Sequence, residues 1–127
     1  MLFGRKKHSE EDQTRVRDDS LNEVLEADLA IIYKHSPRCP TSATAMRQVQ
    51  DFMAKNPDIP VYVVDVIRDR DLSRQLANDL GVQHQSPQVV VLQRGTLQAH
   101  GSHYEISADR LEAWCDRISS NGEPDQP

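Results

Sequence analysis

The chain has only two cysteines among its 127 residues, Cys39 and Cys115. Two thiols make no disulfide framework and cannot alone build a structural zinc site, so no metal is expected. Such sparing use suits a reduced cytosol. No apolar run approaches 18 residues, and the opening Met-Leu-Phe-Gly is too short for the apolar part of a signal peptide. These absences describe a soluble, cytoplasmic protein with no membrane partner. Glycine-rich phosphate loops, short repeats and low-complexity blocks are also missing. So is a basic excess: the net charge is −5, which disfavours a nucleic-acid partner because phosphate binding needs a positive surface. Apolar residues make up only 37% of the chain and charged ones 28%, but much of the polarity lies at the ends. Residues 1–19, including Arg5-Lys6-Lys7 and the acids after it, read as a solvated flexible tail. Residues 119–127 read as a second tail, leaving one domain at 20–118.

Within that domain the pattern alternates. Residues 20–27, SLNEVLEA, pair a capping Ser20 with Glu23 and read as a short helix. DLAIIYKH is a near-continuous apolar strand of the kind buried on both faces. From Pro40 the period becomes helical, with Ala45, Met46, Val49, Phe52 and Met53 on one stripe and Pro57 beyond the end. IPVYVVDV, residues 59–66, is a β-branched strand. RDLSRQLANDLG places Leu72, Leu76 and Leu80 on one helical face and stops at Gly81. SPQVVVLQ and TLQAHG form a hairpin around Arg94-Gly95. A last helix follows Ser107 and aligns Leu111, Trp114, Cys115 and Ile118.

The order is α, β-α-β, α, β-β-α. Strand–helix–strand implies a parallel pair, and the hairpin adds two antiparallel strands. This is an α/β protein with a mixed four-stranded sheet and helices on both faces, the arrangement of the thioredoxin fold. In that fold Cys39 stands where the first strand hands over to its helix. Helix dipole and free backbone N–H groups there favour the thiolate, the attacking species in exchange chemistry. Pro40 suits the first helical turn, where its missing N–H costs little. Ser42 can turn its hydroxyl back toward the sulfur. Arg38, Lys34 and His35 lie near in sequence and would add positive potential. The plainer alternatives are a small buried cysteine or a metal ligand. The polar neighbours and the lack of a spaced partner argue against each in turn.

Similarity to thioredoxin-like folds implies that Ser86–Pro87 is a cis bond lying against the active cysteine. The backbone of Ser86 would then be free to pair with a bound thiol substrate like an added strand. The last strand runs parallel to the first, so the loop GSHYEIS, residues 101–107, belongs to the same rim. Ser102, His103 and Tyr104 become candidates for substrate contact. His103 is either a general acid for a leaving thiolate or an ordinary surface residue. Cys115, two turns into the last helix on its apolar face, reads as a core thiol rather than a resolving one.

The segments KHSPRCPTS, QSPQVVVLQRG and SHYEIS together resemble the YtxJ-type bacilliredoxins, monothiol thioredoxin-like proteins of bacteria that make bacillithiol. The resemblance covers residues 20–118, and Arg38 stands where the family often carries Thr. It implies that Cys39 attacks the bacillithiol sulfur of bacillithiolated client proteins and keeps the small-molecule thiol. A second bacillithiol, acting as co-substrate with no cofactor bound, then regenerates the enzyme. Arg38 or Lys34 is placed to pair with the malate carboxylates. Two other readings stay open: glutaredoxin-like exchange with another small thiol, and a thioredoxin-fold redox-sensing or binding module without turnover. An iron–sulfur carrier would need a glycine-rich cysteine motif that RCPTS lacks.

Overall fold

The computed structural model describes residues 20–121. The expected tail at 1–19, and residues 122–127 of the one expected at 119–127, lie outside the described residues. Ser20 caps α1 (Leu21–Glu26) through a reciprocal box with Glu23. Then come β1 (Ala30–His35), α2 (Pro40–Lys55), β2 (Val61–Asp65) and α3 (Arg70–Leu80). The β3 (Gln88–Gln93) and β4 (Thr96–Ser102) hairpin follows, then a 3-10 turn at His103–Glu105 and α4 (Ala108–Asn121). The last helix runs three residues past the domain end expected at 118. Ser119 and Ser120 are exposed, and helix propensity is too weak a signal to mark where a solvated last turn stops.

The strands lie in the order β2-β1-β3-β4, with β1 parallel to β2 and antiparallel to β3, and β3 antiparallel to β4. β1 and β3 are buried along almost their whole length. This explains their unbroken apolar runs, since side chains alternate onto two covered faces. On one face Ile31, Tyr33, Val89 and Val91 pack with Val49 and Phe52 of α2 and with Leu111, Cys115 and Ile118 of α4. On the other, Ile32, Val64, Val90 and Leu92 pack with Val24 of α1 and Leu76 of α3. Leu72 and Leu80, the other members of that leucine row, flank this cluster half-buried.

Two glycines are dictated locally. Gly81 adopts φ 71°, and its N–H reaches back to the carbonyls of Ala77 and Asn78, ending α3 in a left-handed cap. Gly101 on β4 sits under the indole of Trp114: a Cβ there would meet that ring at 2.9 Å.

The register fixes one rim. Lys34 pairs with Gln88, and Gln88 with Ser102. The end of β1, the start of β3 and the end of β4 therefore share an edge, and the chain leaves β1 there to reach Cys39.

Candidate active site

Cys39 is the N-cap residue of α2, extended at φ −97° and ψ 124°, and Pro40 opens the helix behind it. A proline at that point ends nothing, because the first-turn N–H groups have no helical acceptor. The turn before it is closed by the Cys39 N–H donating to the Ser36 carbonyl at 3.0 Å, and the Ser42 N–H donates to the Cys39 carbonyl at 2.9 Å. The sulfur is partly exposed.

Its nearest polar partner is Thr41, whose Oγ1 lies 3.0 Å from Sγ. The Cys39 thiol is held below its ordinary pKa, first by this hydroxyl, then by the Thr41 backbone N–H, with Ser42 contributing a smaller share through its N–H and its hydroxyl. Partial burial works the other way and is outweighed. Ser42 is itself buried, and its Oγ accepts a hydrogen bond from the Ser36 N–H at 3.2 Å. That leaves its proton for the sulfur while it locks the loop. Spacing favours Ser42, one helical turn on. Thr41 is missed because the choice between adjacent hydroxyls is a matter of rotamer, which spacing does not encode.

A cleft of about 510 Å³ opens on the sulfur, lined by His35, Arg38, Cys39, Pro40, Met46 and Arg47 among others. Arg38 lies where the sequence puts it. Arg47 is a second cation that the motif alone does not flag. The signal for it is helical: Ala43 and Arg47 follow Cys39 at successive steps of four on one face. Lys34 is corrected. It is buried and points to the opposite face of the sheet, where its Nζ meets His84 Nδ1 at 3.2 Å and Ser73 Oγ stands 3.4 Å from the same nitrogen. Neighbours along a strand face opposite sides, so one of Tyr33 and Lys34 had to turn away from the α2 face. Lys34 lends the sulfur no direct contact.

His35 lies in the cleft, with its Nδ1 3.0 Å from the Tyr33 hydroxyl, and that hydroxyl donates to the Ser42 carbonyl at 3.2 Å. Burial lowers the pKa of His35, against a smaller upward pull from Asp65. It also raises that of the Tyr33 phenol, which therefore stays protonated.

Ser86–Pro87 is a cis peptide. Pro87 is buried one residue before β3, and its carbonyl accepts the His103 N–H at 3.1 Å. Ser86, Pro87, Ser102 and His103 stand on the same rim as the sulfur, toward β4, whereas the cleft lies on the α2 side and none of the four lines it. His103 adopts φ 52° at the start of the 3-10 turn, and Tyr104 beside it is 86% exposed. Cys115 is 4% exposed within the core, and burial, with Asp116 and Glu112 nearby, pushes its thiol up to about 12. It stays protonated at neutral pH and is a poor nucleophile.

A family model, monothiol bacilliredoxin BrxC, matches residues 9–111. The chain belongs to the monothiol bacilliredoxin family. Among solved structures, a candidate oxidoreductase with a thioredoxin fold is 30% identical, with 75% of this chain and 88% of that one covered and a TM-score of 0.68. Thioredoxin from Trypanosoma brucei brucei is 16% identical, covering 83% of this chain and 91% of its own, at a TM-score of 0.65. A mutant thioredoxin from Halobacterium salinarum is 20% identical, covering 84% and 88%, at 0.61. These last two speak for the fold alone. The protein is a thiol–disulfide oxidoreductase. Among the described residues no helix is long and apolar enough to cross a membrane, and no group of three or more His, Cys, Asp or Glu is placed to hold a metal ion.

Proposed function

We propose that Cys39 removes bacillithiol from protein mixed disulfides by a one-thiol route. The Cys39 thiolate attacks the bacillithiol sulfur, the client sulfur leaves with the electron pair, and bacillithiol stays on Cys39. A second bacillithiol then attacks that adduct, forming bacillithiol disulfide and freeing the Cys39 thiolate. The observation that carries this reading is the partly exposed sulfur at the start of α2, with Thr41 Oγ1 at 3.0 Å and a serine rather than a thiol one turn on. Nothing in that motif can resolve the adduct internally, so a free small thiol must. Pro40 fixes the helix start and Ser42 adds a donor to the thiolate.

The choice of small thiol is supported by charge. Bacillithiol carries malate carboxylates, and Arg38 and Arg47 both line the cleft. Guanidinium groups pair with carboxylates in bidentate geometry. Across the rim, the Ser86 backbone beside cis-Pro87 is offered to the client segment, with Ser102 and His103 at its far side. A reduced cytoplasm is the compartment this chemistry needs.

The test compares release of bacillithiol and of glutathione from one client protein, followed by mass spectrometry. Expected is a bacillithiol adduct on Cys39, absent in Cys39→Ser and reversed by free bacillithiol. Equal or faster release of glutathione would favour the glutaredoxin-like reading, and loading on Cys115 would overturn the site. Substituting both Arg38 and Arg47 by Gln is expected to weaken bacillithiol turnover at low salt while leaving alkylation of Cys39 intact.

A further inference from the structure

We infer that His35 is the general base of the regenerating half-reaction, accepting the proton of the incoming small thiol at Nε2, with Tyr33 as the positioning residue that fixes its tautomer. This rests on the one-thiol route above, because only that route needs an external thiol to be deprotonated in the cleft.

The Tyr33 hydroxyl carries one proton. The Ser42 carbonyl, 3.2 Å away, can only accept, so that proton is committed there. The contact between Tyr33 Oη and His35 Nδ1 at 3.0 Å must then run the other way, with Nδ1–H donating to the phenol oxygen. A neutral imidazole protonated at Nδ1 has its lone pair at Nε2. The ring is tied to Tyr33, with centroids 5.6 Å apart, and it lines the same cleft as Sγ. Tyr33 is fully buried and gripped by the α2 packing, so the ring's anchor does not wander.

The groups facing His35 are Tyr33 on its own strand, Asp65 opposite it on β2, and Arg38, Cys39 and Arg47 around the cleft. Burial disfavours an imidazolium there and Asp65 favours one, so the ring stays neutral at rest and can still take a proton.

The step balances as follows. The incoming thiol gives its proton to Nε2, and its sulfur attacks the small-thiol sulfur of the Cys39 adduct. One S–S bond forms and the Cys39 S–S bond breaks. The electron pair stays on Sγ as the thiolate, to which the Thr41 hydroxyl donates a hydrogen bond, and the imidazolium returns its proton to water. One disulfide replaces another, with no net oxidation.

Two measurements test this. The first is the 15N spectrum of the His35 ring in the intact protein near pH 7.5. The expected form carries its proton on Nδ1, and Tyr33→Phe should release it toward the Nε2–H form. A wild-type ring protonated on Nε2 would overturn the inference. The second is the pH profile of adduct release by free small thiol. His35→Gln should lose about a hundredfold at neutral pH, below the thiol's own pKa, and converge with wild type above it. Alkylation of Cys39 by iodoacetamide, which needs no proton from an incoming thiol, reports that the fold and the thiolate survive the change. An unchanged profile in His35→Gln would sink the base role. Were bacillithiol not the co-substrate, the same profile read with cysteine as the releasing thiol would still decide the matter for His35, so the two failures are separable.

Discussion

At the scale of single residues, the site turns on which hydroxyl reaches the sulfur. Thr41 leads and Ser42 supports, so removing the first should matter more. Thr41→Val is expected to slow alkylation of Cys39 at pH 7 roughly tenfold, while Thr41→Ser keeps the rate near wild type. Stopped-flow alkylation across pH checks this, and a larger effect from Ser42→Ala would reverse the order. The second cysteine gives the opposite kind of prediction. Cys115→Ser buries a hydroxyl in an apolar core and should cost about 1–3 kcal/mol in urea unfolding. It should leave exchange through Cys39 unaltered. At this scale the sequence was informative about residue type and silent about direction. The order along the chain puts Arg38, Cys39, Pro40 and Ser42 at the junction of β1 and α2, where the structure has them. Lys34 is near the sulfur in sequence but not in space, because strand alternation gives two faces without saying which one turns toward the helix carrying the site.

At the scale of elements, almost everything was legible. Ser20 with Glu23, Gly81 and Ser107 each announced a helix end, and each makes the hydrogen bonds its type implies: Ser107 Oγ accepts from the Arg110 N–H at 3.1 Å. The hairpin turn at Arg94-Gly95 has φ 50° and 80°, two positive values as a type I′ turn requires. Arg94, although not a glycine, is held there by its N–H on the Ala27 carbonyl at 3.0 Å and by its Nε on Asp28 at 2.9 Å. What the sequence did not reveal was contact between elements far apart in the chain. Gly101 is the instructive case, because only the packed α4 shows why a side chain is excluded. Gly101→Ala is expected to push against Trp114 and lower stability by about 1–3 kcal/mol, read as a lower urea midpoint with unchanged cooperativity.

At the scale of the whole molecule, pH links the site to the fold. His35 and His84 both have pKa values lowered by burial, and His84 also by Lys34 and Arg74. The unfolded chain therefore takes up protons near pH 6.5 that the folded chain refuses. Stability from these two groups is fully present above that value and is lost as pH falls through their lower folded values. Urea unfolding at stepped pH should show a decline below about pH 6.5 that flattens in His84→Gln. A stability that rises on acidification through this window would contradict the lowered values of both rings. The fold class itself followed from element order, since a β-α-β unit followed by a hairpin leaves few ways to build one sheet. The cleft did not, because its walls come from the end of β1, the loop after it and about three turns of α2.

The central claim is that the sulfur of Cys39 ionises below the ordinary thiol range because the first turn of α2 surrounds it with donors. The most direct measurement is the pH dependence of Cys39 alkylation in Cys115→Ser, where only one thiol can react. A midpoint below the ordinary thiol value of about 8.5 is the result expected. A midpoint at or above that value would leave the proposed exchange without its nucleophile.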